Sequence, residues 1–209
     1  MHQNCSLLFQ KYILEYLVSS KNVLEVGARI PSWYKEKAIK NGFKGKWLYA
    51  DIDEYGLNRN INTFERINPV DILIKNNIFD CPDNSFDVFF SASVLEHVKY
   101  IWTFFEESSR ILKKNGLFIS ISPVSWPYHE APIDCWRIHP DGMRALLEKV
   151  DFKEIFITSE CLEFKGKRLI PGAGRDCQGP RQKLRNDIFR LIGNPVEASI
   201  DMVTIAKKI

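Results

Sequence analysis

The sequence contains no C-x-x-C pair, and its five cysteines (Cys5, Cys81, Cys135, Cys161 and Cys177) are scattered and odd in number. That excludes a disulfide framework or a cysteine-built zinc site as the organising device, and it suits a reducing compartment, so a cytoplasmic location is expected. Charge of one sign is also scarce in excess. The 29 basic and 26 acidic side chains leave a formal net charge of +3, too balanced to imply a nucleic-acid partner. Long apolar runs are missing as well. Ser6 to Val18 comes nearest to a secretory leader, but Lys11 and Glu15 interrupt it and no basic leader segment or cleavage site accompanies it. It reads as a packed amphipathic helix, and no membrane span is expected. With 45% apolar and 26% charged residues, composition indicates neither disorder nor a fibrous repeat. A chain of 209 residues can bury one substantial core but not two full α/β domains. We therefore expect a single domain over residues 1–209, with an N-terminal helix in 1–20 and an insertion over 160–195 between the last two strands.

What is present is concentrated between Asp83 and Pro123. Phe86 to Phe90 is a short aromatic-rich run bounded by the turn residues Asp83-Asn84-Ser85, as expected of a strand buried on both faces of a parallel sheet. Leu95, Val98, Ile101, Trp102 and Phe105 then recur at helical spacing, predicting a helix kinked near Tyr100. Lys113 and Lys114 suit its C-terminus, Gly116 the left-handed position beyond it, and Leu117 to Ser122 the next strand. In open α/β sheets ligands sit beyond the carboxyl ends of the strands. Ser91, Ala92, Glu96 and His97 follow the first of these strands, and Tyr128 and His129 follow the second.

Earlier in the chain, Val23 to Val26 reads as a strand, Gly27 as a tight turn and Pro31 to Lys40 as a helix with proline near its start. The unpaired N–H groups of such a turn suit a carboxylate or a phosphate. A second strand, Lys46 to Ala50, leads to Asp51, placed to hold ribose hydroxyls, with Ile52 beside it and Asp53 in reserve. Ile72 to Ile74 makes a third strand, with Lys75-Asn76-Asn77 as its polar exit. Phe152 to Ser159 and Ile200 to Lys207 read as two further strands.

Taken together, FDVFFSASVLEHV and RILKKNGLFISISP resemble the fourth and fifth strand region of class I S-adenosylmethionine-dependent methyltransferases, in particular the type-11 group. The resemblance implies a Rossmann-like three-layer sandwich on a mostly parallel seven-stranded sheet with an antiparallel last strand. It also implies S-adenosyl-L-methionine as cofactor. Glu25 and Gly27 match the acidic residue and first glycine of the family's cofactor turn. Ala28, Arg29 and Ile30 stand where further glycines are usual, and Arg29 could face the ligand's carboxylate. The segment from His129 to Gly142 resembles the H-x-x-P-x-D-x-W-R-x-x-P-x-G signature of part of that group, which lies over the active site.

Candidate cofactor contacts are thus Glu25, Gly27, Ala28, Arg29, Asp51, Ile52, Ser91 and Ala92. His129 and His97 are candidate proton acceptors. Tyr128, Asp134 and Arg137 are candidate acceptor contacts, although Asp134 and Arg137 could simply pair to hold their loop. No resident metal is assigned, while Glu96 and His97 could instead shape the cofactor pocket or together bind a divalent ion. The expected activity is methyl transfer to oxygen or nitrogen of a polar small molecule such as a sugar or phosphorylated metabolite. A NAD-dependent oxidoreductase and a non-catalytic SAM-binding module are the alternatives. Basic residues gather between Lys165 and Arg190, read first as a solvated face.

Overall fold

The computed structural model describes residues 3–28, 31–52, 70–126, 128–129, 133–163, 169–171, 188, 196–198 and 200–209. An eight-stranded sheet runs through it in the order β4-β3-β2-β1-β5-β6-β10-β7. The strands are β1 (Asn22–Val26), β2 (Lys46–Ile52), β3 (Ile72–Lys75), β4 (Ile78–Phe79), β5 (Phe86–Ala92), β6 (Leu112–Ser125), β7 (Phe152–Glu160) and β10 (Ile200–Lys208). β3, β2, β1, β5 and β6 are mutually parallel, and β10 runs antiparallel to both β6 and β7. The Rossmann-like expectation holds, including the antiparallel last strand. Two short strands, β8 (Leu169–Pro171) and β9 (Val196–Ala198), pair separately in parallel. Most of the expected 160–195 insertion and its basic residues lie outside the described residues, as do Arg29 and Asp53.

The eighth strand was not foreseen. β4 folds back on β3 through Asn76 and Asn77, whose φ values of +52° and +64° are those of a two-residue hairpin turn. Asparagine tolerates the left-handed region, so backbone geometry alone accounts for this pair.

Alternation along the strands sends side chains to two cores. Phe89, Phe118, Met202 and Phe152 meet α4 (Ile101–Ile111) and α5 (Pro140–Lys149) on one face. Val88, Phe90, Ile119, Ile121 and Val203 meet the N-terminal helices and α3 (Trp33–Lys40) on the other. The N-terminal segment is α1 (Gln3–Leu8), a π-helical turn (Phe9–Ile13) and α2 (Leu14–Val18). It buries Leu8, Phe9, Ile13 and Leu17 completely, as the amphipathic reading requires. Asn4 pins it: its amide donates to Asp201 Oδ2 at 2.7 Å and its carbonyl accepts from Leu162 N at 2.7 Å. Among the described residues no helix is long and apolar enough to cross a membrane.

Two local expectations need correction. The helix after β5 is broken, with a 3-10 turn at Leu95–His97 separated from α4. β6 already begins at Leu112, so Lys113 and Lys114 lie in it rather than at a helix end, and Asn115, not Gly116, takes the positive φ of 65°. Glycine is needed at 116 for space, since a Cβ there would lie 2.8 Å from the Lys113 carbonyl oxygen.

Candidate active site

The carboxyl ends of β1, β2 and β5 form one rim. Register pairs Val26 with Ala50 and with Ser91, so Gly27, Asp51 and Ala92 are the next residues along it. Gly27 donates its N–H to Ala50 O at 2.9 Å and takes φ +70°. A Cβ there would stand 2.5 Å from Val94 Cγ2, so both dihedral and packing require glycine. Ala28 beside it is buried.

Glu25 points to the face of the sheet that α3 covers, where it meets Ser32 and Trp47. Ser32 Oγ donates to its Oε1 at 2.9 Å and Trp47 Nε1 to its Oε2 at 2.9 Å. Ser32 also caps α3, accepting from Lys35 N at 3.2 Å. Burial pushes the Glu25 carboxyl up to about 7, against the pull of those two donors and of Lys35. The acidic residue thus fixes the position of the turn and helix that follow it. Asp51, also buried, accepts from Ile52 N through Oδ1 at 2.8 Å.

Beyond β5 the chain turns sharply at Ser93, a non-glycine residue at φ +55°, into the 3-10 turn that carries Glu96 and His97. Glu96 is 1% exposed, and among the described residues neither of its oxygens has a hydrogen-bond partner. Burial raises its carboxyl to about 8; Asp201 and Asp134 act in the same direction, opposed by the nearby Glu96 N–H dipole and Arg137. His97 Nδ1 lies 2.5 Å from Ile133 O, and burial lowers the imidazole's pKa. His129, from the loop after β6, meets His97 edge to face with ring centroids 5.0 Å apart. Asp134 accepts the His129 backbone N–H at 2.9 Å.

Asp134 and Arg137 are brought together as a two-armed pair, Nη1 to Oδ1 at 2.5 Å and Nη2 to Oδ2 at 2.6 Å. Burial opposes the Asp134 charge, but Arg137 and the His129 N–H outweigh it and hold the carboxyl below its usual range. Arg137 also donates to Trp126 O and Trp136 O, so its fork closes the loop on itself. A groove of about 270 Å³ lies here, lined by Trp126, Tyr128, Asp134, Cys135, Trp136 and Arg137. Tyr128 stands 72% exposed at its mouth. Another cavity, of about 300 Å³, is lined by Asn22, Lys46, Ile72 and Phe86, which begin their strands; it is at the wrong end of the sheet for the cofactor.

The structure adds a feature that composition hid. Ser91, Ser120 and Thr204 pair in register across β5, β6 and β10, and all three buried hydroxyls lack partners among the described residues. The Ile-Ser-Ile-Ser alternation of 119–122 was its only sequence signal.

The donor set suits the cofactor expected from the resemblance: a positive-φ glycine turn, a buried carboxylate ending β2, and the unpartnered Ser91 hydroxyl along one rim. Comparison with known proteins agrees. Residues 24–120 match the family model described as a methyltransferase domain. No curated protein matches the sequence. Among solved structures, a SAM-dependent methyltransferase from Archaeoglobus fulgidus is 15% identical with a TM-score of 0.56, covering 98% of this chain and 94% of its own. One from Aquifex aeolicus is 15% identical with a TM-score of 0.55, covering 96% and 89%. A chain of the Haloferax volcanii complex between the Trm112 methyltransferase activator and a candidate methyltransferase is 17% identical with a TM-score of 0.58, covering 95% and 87%. The match over residues 24–120 is thus to a methyltransferase domain, and the fold is shared with S-adenosyl-L-methionine-dependent methyltransferases, whose cofactor the donor set suits.

Proposed function

We propose that this protein transfers a methyl group from S-adenosyl-L-methionine to an oxygen or nitrogen of a polar small molecule, a sugar or a phosphorylated metabolite, in the cytoplasm. The observation that carries the reading is the meeting of His97, His129 and Glu96 at the ends of β5 and β6, beside the aromatic groove. When bound, the cofactor supplies an activated methyl sulfonium, so the chain's own work is positioning and proton removal.

In this reading Gly27, Ala28 and Arg29 take the methionine end, with Glu25 holding their turn from behind. Asp51 and Ile52 take the ribose, and Ser91 and Ala92 line the donor end. His129 accepts the acceptor's proton, with His97 in reserve; an imidazole does so near neutral pH. Tyr128 borders the acceptor, while Asp134 and Arg137 shape its loop.

Calorimetric titration with S-adenosylmethionine and with NAD tests the cofactor. Asp51→Ala should weaken S-adenosylmethionine binding by about 1–3 kcal/mol, the worth of a charge-assisted hydrogen bond. Binding of NAD in its place would overturn the reading. A screen of sugar, nucleotide and amine acceptors for S-adenosylhomocysteine release then tests turnover. With an acceptor in hand, His129→Ala should keep cofactor affinity and lose about 10²–10⁴ in rate. Cofactor binding with no turnover on any acceptor class would favour a binding module.

A further inference from the structure

Glu96, His97 and His129 bring one carboxylate oxygen and two imidazole nitrogens within 4.8 Å of one another. Each is held as a metal ligand would be. Glu96 is 1% exposed and both its oxygens lack a hydrogen-bond partner among the described residues, a costly state unless something satisfies it. The fold retains it beside two imidazoles. For His97, Nδ1 faces the Ile133 carbonyl at 2.5 Å, and a carbonyl can only accept, so Nδ1 carries the hydrogen and Nε2 keeps its lone pair. That Nε2 is 3.8 Å from Glu96 Oε1. A backbone carbonyl fixing the tautomer of a ligating imidazole is the usual outer support of a metal site. His129 has the other common support, a carboxylate: its Nδ1 lies 3.4 Å from Asp134 Oδ2, and Arg137 anchors that carboxylate in turn.

We infer that Glu96, His97 and His129 form a three-ligand site for a divalent ion of the zinc class, with an open position toward the acceptor groove. Two imidazoles and one carboxylate favour zinc, iron, cobalt or nickel over magnesium or calcium, which prefer all-oxygen shells. Three protein ligands with a vacant fourth position are the pattern of catalytic rather than structural zinc. Bonds of about 2.0–2.2 Å require the ligand atoms to draw closer by about an ångström, within reach of side-chain rotation. The ion's use, though not its binding, rests on the methyl-transfer reading. An acceptor hydroxyl at the open position would become more acidic and release its proton to water in the groove. Its oxygen would then form the O–CH3 bond as the C–S bond breaks with its electron pair on sulphur. His97 and His129 would serve as ligands, and the ion would take over the part otherwise given to His129 as base.

The test needs no acceptor. Chelator-stripped protein is titrated with Zn²⁺ by calorimetry and with Co²⁺ by visible absorption. One equivalent should bind, with cobalt ligand-field bands and no sulfur-to-cobalt charge-transfer band. His129→Ala, on a partly exposed loop, should lose more than the about 10–100-fold in affinity expected of the outer-shell change Asp134→Asn. Glu96→Gln should lose binding too; if it fails to fold, the His129→Ala result decides, with far-UV circular dichroism as control. No stoichiometric binding, a thiolate band, or unchanged affinity in His129→Ala would overturn the inference. S-adenosylmethionine titration of the stripped protein separates the two proposals: loss of metal binding with cofactor binding retained refutes this one alone.

Discussion

Replacing Glu25 by glutamine should change the protein's dependence on pH more than its fold. Glu25 is 3% exposed, and burial raises its carboxyl to about 7 from the ordinary 4.5. Folded protein therefore holds that proton more tightly than unfolded protein. The stability this contributes is complete below about pH 4.5, declines as pH rises through about 7, and is gone above it. A shift of about 2.5 units at 1.36 kcal/mol each is about 3 kcal/mol, or about 6–12 °C in Tm for a chain of this size. Glutamine keeps the geometry: its oxygen can accept from Trp47 Nε1, and its amide can donate to Ser32 Oγ, which has a second lone pair beside the Lys35 N–H. Alanine instead orphans the Trp47 and Ser32 donors. Thermal unfolding followed at pH 5, 6, 7 and 8 for wild type and Glu25→Gln isolates this one titration, because every other group is common to both. The wild type should lose stability relative to the variant between pH 5 and 8, and Glu25→Ala should be the least stable at every pH. Parallel wild-type and glutamine profiles would refute the buried-carboxyl account.

Two further substitutions probe the frame of the site. Gly27→Ala should cost about 1–3 kcal/mol, because it sets a Cβ 2.5 Å from Val94 Cγ2 at φ +70°; chemical denaturation reads the loss, and calorimetry should show weaker S-adenosylmethionine binding with it. Arg110 joins α4 to the turn before β5, donating to Glu107 at 2.8 Å, Asp83 at 2.7 Å, and the carbonyls of Phe79 and Cys81 at 2.9 Å. Arg110→Ala should therefore cost about 2–3 kcal/mol in the same denaturation assay, and a loss under half a kcal/mol would show the network to be ornamental.

The central strands were legible because burial on both faces leaves a strong mark. Phe86 to Phe90 has no polar residue but Asp87, and Asp87 is at the strand's beginning, where it accepts from Asn22 N and Lys113 Nζ, each at 2.8 Å. The order of turn, helix and carboxylate from Gly27 to Asp51 was legible for the same reason: each residue type answers a local backbone need. Glu25 was placed correctly at the end of β1, but the sequence could not show that its oxygens face Ser32 and Trp47, 7 and 22 residues away. Likewise the sequence leaves the Asp134–Arg137 pair as either acceptor contact or loop brace, and the fold shows how fully the guanidinium is engaged within its own loop.

The break between the 3-10 turn and α4 shows why the site itself was harder to read than the frame. Leu95, Val98, Ile101 and Phe105 have helical spacing, and local propensity alone would let the helix start near Leu95. A continuous helix would need the carbonyls of Glu96 and Val98 for its own N–H groups four residues on. Here Glu96 O instead accepts from Cys135 N at 2.7 Å and Trp136 N at 3.3 Å, and Val98 O accepts from Trp136 Nε1 at 2.7 Å. The loop after β6 thus takes the bonds a helix would have used, some 38 residues along the chain. Its docking does two things at once. It holds Glu96 and His97 in a short turn at the mouth of β5, and it carries His129 to within ring contact of His97. Neither segment has that geometry alone, so the site is a property of their pairing, and a change such as Trp136→Phe, which removes the Nε1 donor from Val98, acts on His97 and His129 together.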